Sequence, residues 1–250
     1  MSAIDVLWLP AEIESDAPRG RATVVIDVIR ATTSITTALA AGADRVIPAL
    51  TVSEAREAAT RTEGSLLCGE RQGLPPEGFD LGNAPGDFDP ATVAGRTLVF
   101  TTTNGTAAIE RARGEGGEGP LRLGCFRNVR AVARRVAADA APGGRGLAIV
   151  CAGRRGRVSM DDAWCAGHLA GRLVHAVAGV GLTDGARAAQ ALSAELGPPT
   201  AAALARTAAG RALHGIGRAD DLSACAALDD LEVVPVWRAG ALVKGGEEDV

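Results

Sequence analysis

The sequence predicts an α/β protein, a three-layer α/β/α arrangement around a largely parallel or mixed sheet, with its active site at the C-terminal strand ends. Two observations carry this reading. Strand-like and helix-like segments alternate from residue 23 to residue 178, the pattern of successive β-α units with helices on both faces of one sheet. The strand candidates are short unbroken apolar runs, such as Val24-Val25-Ile26, Leu66-Leu67-Cys68 and Ala148-Ile149-Val150. Such runs suit strands covered on both faces.

Residues 1–10 alternate apolar and polar and form a first strand, followed by a loop over 12–20. The strand at 24–26 feeds a helix over 35–41 that ends at Gly42. Residues 45–49 form a strand whose Pro48 favours the sheet edge. Ser53 caps the next helix, and 65–69 is a buried strand. Residues 72–90, rich in Gly, Pro and Asp, form a long irregular loop, and loops of that length are commonly functional. A strand at 97–101, a helix over 107–113 and a solvated turn at 114–120 follow. A strand at 121–124 then leads to a helix capped by Asn128 and running to 138, and a strand at 146–150 comes next. Ser159-Met160-Asp161-Asp162 has the form of a capping box opening a helix over 163–178. Helices over about 184–196, 199–209 and 220–227 come next, and a hairpin of 233–237 with 241–243 closes the chain. Residues 1–250 read as a single domain, with room for a smaller C-terminal lobe from about residue 180.

Composition narrows the function. The net charge is −4 and no run of Lys or Arg occurs, which gives no footing for nucleic acid. An acidic chain that binds an anion must therefore gather arginines in its site. The first eight residues lack the basic and apolar regions of an export signal. The most apolar long stretch, 163–181, is interrupted by His168, Arg172 and His175, so no membrane span is expected. Five cysteines without a CxxC pair read as reduced thiols of a cytoplasmic protein.

The informative polar groups follow strand ends, where ligands of open α/β sheets bind. Asp27 and Arg30 leave the strand at 24–26, with the hydroxyls of Thr32, Thr33 and Ser34 at the helix start. Glu70 and Arg71 leave the strand at 65–69, Thr103 and Asn104 that at 97–101, and residues 151–162 that at 146–150. Asp27, Glu70, Asp80, Asp161 and Asp162 are hard oxygen donors, which favours Mg²⁺ over zinc. Arg30, Arg71, Arg154, Arg155 and Arg157, with helix N-termini, suit a phosphate. Neither GxxxxGK[ST] nor GxGxxG is present, so the pattern points to a small phosphoester and metal-assisted hydrolysis.

Several segments together carry a family resemblance. They are Asp27-Val28-Ile29-Arg30-Ala31-Thr32-Thr33, Gly69-Glu70-Arg71 with Gly78-Phe79-Asp80-Leu81-Gly82-Asn83-Ala84-Pro85, Thr102-Thr103-Asn104-Gly105-Thr106, and Cys151-Ala152-Gly153 with the stretch from Ser159 to Gly167. With Gly210-Arg211-Ala212-Leu213, Asp220-Asp221-Leu222 and Val233-Val234-Pro235, they resemble the 2-phosphosulfolactate phosphatase family of Mg²⁺-dependent acid phosphatases. The resemblance implies hydrolysis of 2-phospho-3-sulfolactate to sulfolactate and phosphate, a step of coenzyme M synthesis. It implies catalytic roles for Asp27, Arg30, Glu70, Arg71, Asn104 and Asp161, and substrate contacts from Thr32, Asp80, Asn83, Thr103, Cys151 and Gly153. Mg²⁺ would rest on some of Asp27, Glu70, Asp80 and Asp161, and a homodimer is compatible with the reading. Two departures bear on the substrate: Ala84 stands where the family usually has Ser, and Asp161-Asp162 where it usually has Glu-Asp.

Other readings stay open on the sequence. Cys151 and Arg157 have the C-x5-R spacing of metal-independent cysteine phosphatases, although no His precedes the Cys. Asp27 as an aspartyl-phosphate nucleophile would want an acid two residues on, where Ile29 stands. A phosphometabolite-binding protein without turnover is the non-enzymatic rival. Each acid also has a plain role: Asp27 as a helix cap, Asp161 on a helix dipole, and Asp162 as the capping partner of Ser159.

Overall fold

The structure is a computed structural model that describes residues 3–13, 21–115, 119–140 and 146–246. Most of the loop expected over 12–20 and the middle of the turn at 114–120 lie outside the described residues. Among the described residues the strands are β1 (Ala3–Leu7), β2 (Ala22–Ile26), β3 (Arg45–Pro48), β4 (Leu66–Gly69), β5 (Thr97–Thr101), β6 (Leu121–Gly124), β7 (Leu147–Cys151), β8 (Gly181–Leu182), β9 (Pro235–Arg238) and β10 (Ala241–Lys244). The helices are α1 (Ala31–Ala40), α2 (Val52–Thr60), α3 (Pro90–Val93), α4 (Gly105–Glu115), α5 (Val129–Ala138), α6 (Met160–Ala176), α7 (Asp184–Leu196), α8 (Ala201–Leu204), α9 (Ala208–Gly215) and α10 (Asp221–Ala226).

All ten strands join one mixed sheet in the order β4-β5-β3-β10-β9-β6-β2-β7-β1-β8. The α/β class and the helix layers on both faces are as the alternation predicts. Val24 and Ile26 pack with α5, α6 and α7 on one face, and Val25 packs with α1 and α4 on the other. This is the period of two that places successive side chains on opposite faces.

The terminal hairpin is where sequence and structure part. It does not close the sheet at an edge but enters its middle, where β10 pairs antiparallel with β3 and β9 antiparallel with β6. Three successive antiparallel pairings separate β3 from β6, so the group β4-β5-β3 runs opposite to the group β6-β2-β7-β1-β8. In a flat sheet their C-terminal ends would lie on opposite rims. Strand twist of about 20–25° per step, accumulated over the five steps between β5 and β2, turns them toward one corner. The thin joins help, for each half meets the hairpin through a single residue pair, Leu242 with Val46 and Arg122 with Val236.

Helix α1 sits in the hollow of the curled sheet and packs against β3, β6, β9 and β10. Its hydroxyls are tolerated in the core because they are bonded: Thr32 Oγ1 donates to the Asp27 carbonyl, Thr33 Oγ1 to that of Val28 and Ser34 Oγ to that of Asn83.

Local expectations need four further corrections. Pro48 is not on an edge strand, since β3 lies between β5 and β10; it is the last residue of β3 and lies beyond the single pair with β10. Thr51, not Ser53, caps α2, its hydroxyl accepting the Glu54 amide at 3.1 Å. The helix expected over 199–209 breaks in two, because Thr207 turns its hydroxyl to the Gly210 amide and starts α9. Helix α4 begins two residues earlier than expected, at Gly105, directly at the strand-exit turn, whereas α1 starts at Ala31 beside the expected hydroxyls of Thr32 to Ser34. No helix among the described residues is long and apolar enough to cross a membrane.

Candidate active site

The ends of β2, β4, β5 and β7 meet at one cavity of about 300 Å³. The turn after β2 contributes Asp27, Ile29 and Arg30, and the turn after β4 contributes Glu70, Gln72 and Gly73. Thr102, Thr103 and Asn104 come from the exit of β5, Arg154 and Arg155 from that of β7, and Asn83 from the long loop. Ala209, Ala212, Leu213 and Ile216, on and just after α9, form an apolar wall.

Asp27 is 6% exposed and sits at the start of α1, where its Oδ1 accepts the Ala31 amide at 3.3 Å. It is not the N-cap residue of α1, which is Arg30, but it accepts the first amide of that helix while lining the cavity. Its carboxyl is pushed up to about 7, chiefly by burial and then by Asp161 and Glu70, against the pull of the Ala31 amide and Arg30. Asp161 is also raised, by burial above all, although the Ser159 hydroxyl and Arg154 draw it back. Asp162 is raised well above the usual carboxylate range by burial, Asp161 and Asp27. Such a cluster does not stay fully ionised at neutral pH, and it titrates as a unit.

The other acids have structural partners. Glu70 takes the Thr103 amide on Oε1 and the Gly73 amide on Oε2, both at 2.7 Å, and so holds the exits of β4 and β5 together. Asp162 takes the Val28 amide at 2.9 Å and the Gly153 amide at 3.0 Å, tying the exit of β2 to that of β7. It is therefore not the capping partner of Ser159, whose hydroxyl donates instead to Asp161 Oδ1 at 2.6 Å. Spacing alone does not tell which of two adjacent acids turns back to the serine.

The arginines divide sharply. Arg30 is 4% exposed and lines the cavity, with Nη1 on Asp221 at 2.5 Å and Nη2 on the Gly73 carbonyl at 2.7 Å. Arg71, expected beside it as a phosphate clamp, points elsewhere, to the carbonyls of Glu70 and Leu50 and the Thr101 hydroxyl. Arg154 and Arg155 take its place on the cavity.

Two tight turns present these groups. Arg71-Gln72-Gly73-Leu74 and Arg154-Arg155-Gly156-Arg157 each close with a reciprocal pair of backbone hydrogen bonds. Both have positive φ at the two central residues, 57° and 86° in the first and 52° and 71° in the second. That is the type I′ form, which favours Asn or Gly; Gln72 and Arg155 occupy it with bulkier side chains that line the cavity. Asn104 Oδ1 accepts the Arg155 amide at 3.1 Å and fixes the second turn.

The remaining expected residues fall into two groups. Thr103 lines the cavity, and so does Asn83, which is 4% exposed with an Oδ1 that has no hydrogen-bond partner. Asp80, Thr32, Asp161, Cys151 and Gly153 do not line it. Asp80 is exposed and accepts the Leu67 amide, while Thr32 bridges Asp27 to the Gly124 carbonyl. Asp161 is buried against the Ser159 hydroxyl, and Gly153 serves through its amide to Asp162. Cys151 is fully buried at the end of β7, and burial together with Asp162 and Asp161 raises its thiol well above the usual range. A nucleophilic thiolate needs the opposite surroundings. Arg157 is exposed outside the cavity, so the cysteine-phosphatase reading loses both its groups. Cys151→Ala is expected to keep phosphate release within about threefold of the native rate. A loss of several orders of magnitude with intact folding would restore that reading.

Gly105 shows how closely the parts approach. A Cβ there would stand 2.7 Å from Asp27 Oδ2 and 2.4 Å from Ala31 Cβ. Gly105→Ala is therefore expected to displace the Asp27 carboxylate and lower kcat by roughly ten- to a hundredfold. An unchanged kcat would show that Asp27 tolerates movement.

The donor set suits Mg²⁺ of open coordination. Among the described residues no three of His, Cys, Asp and Glu converge as ligands of one ion. Mg²⁺ commonly takes one or two carboxylates and fills the rest with water and substrate oxygens. Asp27, whose Oδ2 accepts no amide among the described residues, could serve as such a carboxylate.

Sequence reasoning missed Gln72, the apolar wall from α9, and Asp221 behind Arg30. The C-terminal segments belong to the resemblance, but nothing local in them signals a place in the cavity.

A fold and site of this kind, gathering acids, arginines and helix N-termini at strand ends, belong to the phosphoric monoester hydrolases. Within that class the chain belongs to the 2-phosphosulpholactate phosphatase family, whose model matches residues 7–240. It is 37% identical over 223 residues to a probable 2-phosphosulfolactate phosphatase of Thermotoga petrophila, covering 89% of this chain and 92% of that one. A protein of the same name from Parasynechococcus marenigrum is 39% identical over 241 residues, 94% of this chain and 96% of the other. One from Deinococcus radiodurans is 38% identical over 223 residues, 89% and 90% of the two chains.

Proposed function

We propose that the chain hydrolyses 2-phospho-3-sulfolactate to 3-sulfolactate and phosphate with Mg²⁺ as cofactor, the step of coenzyme M synthesis that the resemblance implies. The observation that carries the proposal is the single cavity on which Asp27, Arg30, Asn83 and two helix starts converge. The relatives' names support the same substrate.

Asp27, with Glu70 beside it on the cavity, would hold Mg²⁺, which when bound would supply Lewis-acid polarisation of the phosphoryl group. Arg30, fixed by Asp221 and Gly73, faces the same oxygens and neutralises charge that grows on them in the transition state. The N-termini of α1 and α4 add partial positive charge at the same place. Asn83 Oδ1 has no hydrogen-bond partner among the described residues, and the Nδ2 of the same amide would donate to a substrate oxygen, its backbone held by Ser34. The attacking group is water, and an ionised carboxylate of the acid cluster would take its proton. Glu70, Asp162 and Asn104 act by position, each fixing backbone of a strand exit.

The test is phosphate release from 2-phospho-3-sulfolactate, 2-phospholactate and phosphoglycolate. The proposal expects the sulfonated substrate to have the highest kcat/KM. Equal rates on all three would mean that the sulfonate is not read, and release from none would favour a binding protein.

A further inference from the structure

We infer that Arg155 determines specificity in this cavity, its guanidinium taking the anion farthest from phosphorus, the sulfonate on C3 of the substrate. The inference rests on the proposed substrate and adds the residue that distinguishes it from unsulfonated phosphoesters.

Three arginines line the cavity, and they differ in partners and in depth. Arg30 is buried and held by Asp221 and the Gly73 carbonyl. The guanidinium groups of Arg154 and Arg155 have neither an ion pair nor a hydrogen bond among the described residues, and Arg154 is half-buried whereas Arg155 is exposed. Arg155 is thus the outermost cation open to a further anion of the ligand.

Its backbone is nevertheless tightly set. Arg155 has φ 52° in a type I′ turn, and its amide is bonded to Asn104, itself on the cavity. The matching turn on the other exit carries the neutral Gln72 at the same position, so Arg155 supplies charge that its counterpart does not.

Position along the cavity then decides which anion it meets. Asp27 and Glu70 are buried, whereas Arg155 is exposed at the opening. A phosphoryl group held at the buried acids leaves the rest of the substrate directed outward. The sulfur on C3 is one bond farther from phosphorus than the carboxylate carbon. A planar guanidinium fork can donate two parallel hydrogen bonds to sulfonate oxygens.

The test compares kcat/KM for 2-phospho-3-sulfolactate and 2-phospholactate in the native protein, Arg155→Asn and Arg155→Lys, with calorimetric binding of 3-sulfolactate and of lactate. Asn removes the charge but tolerates positive φ, and an unchanged melting temperature verifies the fold. Arg155→Asn is expected to lower the preference for the sulfonated substrate at least about tenfold, mainly through KM, with a matching loss of 3-sulfolactate binding. Arg155→Lys should recover part of it. A native preference that persists in Arg155→Asn overturns the inference and leaves the substrate proposal standing. A native protein that neither prefers the sulfonated ester nor binds 3-sulfolactate more tightly than lactate overturns both.

Discussion

Asp27→Asn is expected to lower phosphate release by roughly a thousandfold or more while making the metal-free protein more stable above neutral pH. The two effects share one cause. The carboxyl that would hold the cation is buried beside Asp161 and Glu70 and is pushed from an ordinary 3.8 up to about 7. Between those pH values the folded protein keeps a proton that the unfolded chain has released. Stability therefore falls as pH rises from about 4 to about 7 and stays reduced above it. Asn keeps an acceptor for the Ala31 amide but carries no charge, so this loss disappears. A shift of this size corresponds to at most about 4 kcal/mol, and a part of that is several degrees in melting temperature. Thermal denaturation in chelator at pH 5 and pH 8 checks it. The variant's advantage should grow with pH, and an equal advantage at both values would contradict the account of Asp27.

The second large effect is expected of Asp162→Ala. The side chain satisfies two buried amides, of Val28 and Gly153, and through them joins the exits of β2 and β7. Each amide left unpaired costs about 1–3 kcal/mol. Relief of a buried charge near Asp161 and Asp27 offsets part of this, so a net loss of roughly 2–4 kcal/mol is expected. That lowers the melting temperature by about 5–15 °C. Because Asp27 and Arg154 stand on the two exits so joined, kcat should fall by roughly a hundredfold as well. Asp162→Asn retains one good acceptor and should fall between the two. Native stability and kcat in Asp162→Ala would contradict the joining role.

The comparison of these two aspartates shows what was legible in the sequence. Asp27 stands out because an unbroken apolar run ends at it, so strand, exit and acid are read from adjacent residues. The same logic locates Glu70, the stretch around Thr103 and Asn104, and the segment after β7. Asp161 and Asp162 are adjacent on one helix start, and only tertiary partners decide that the first meets Ser159 and the second the amides of Val28 and Gly153. Likewise, Arg71 and Arg155 both follow strand exits. Arg71 opens its turn and folds back on Thr101 and Leu50, whereas Arg155 lies within its turn and faces the cavity.

Longer-range features were less accessible. The hairpin at residues 235–244 was evident as a hairpin, but its insertion between β3 and β6 depends on pairings with strands more than a hundred residues away. That insertion reverses the polarity of the three strands β4, β5 and β3 relative to β6-β2-β7-β1-β8, and the curl it permits brings the ends of β5 and β2 to one cavity. Asp221 lies 191 residues from Arg30 and fixes its guanidinium through one ion pair. No local spacing could reveal that pair.

The central claim is that the cavity at Asp27 is a Mg²⁺-dependent hydrolytic centre. The most direct measurement is phosphate release from 2-phospho-3-sulfolactate by chelator-treated native protein and by Asp27→Asn, before and after Mg²⁺ is restored. The account predicts that native activity is lost on chelation and returns with Mg²⁺, while the variant stays inactive in both conditions. Undiminished release in chelator, or an Asp27→Asn protein that Mg²⁺ fully activates, would contradict it.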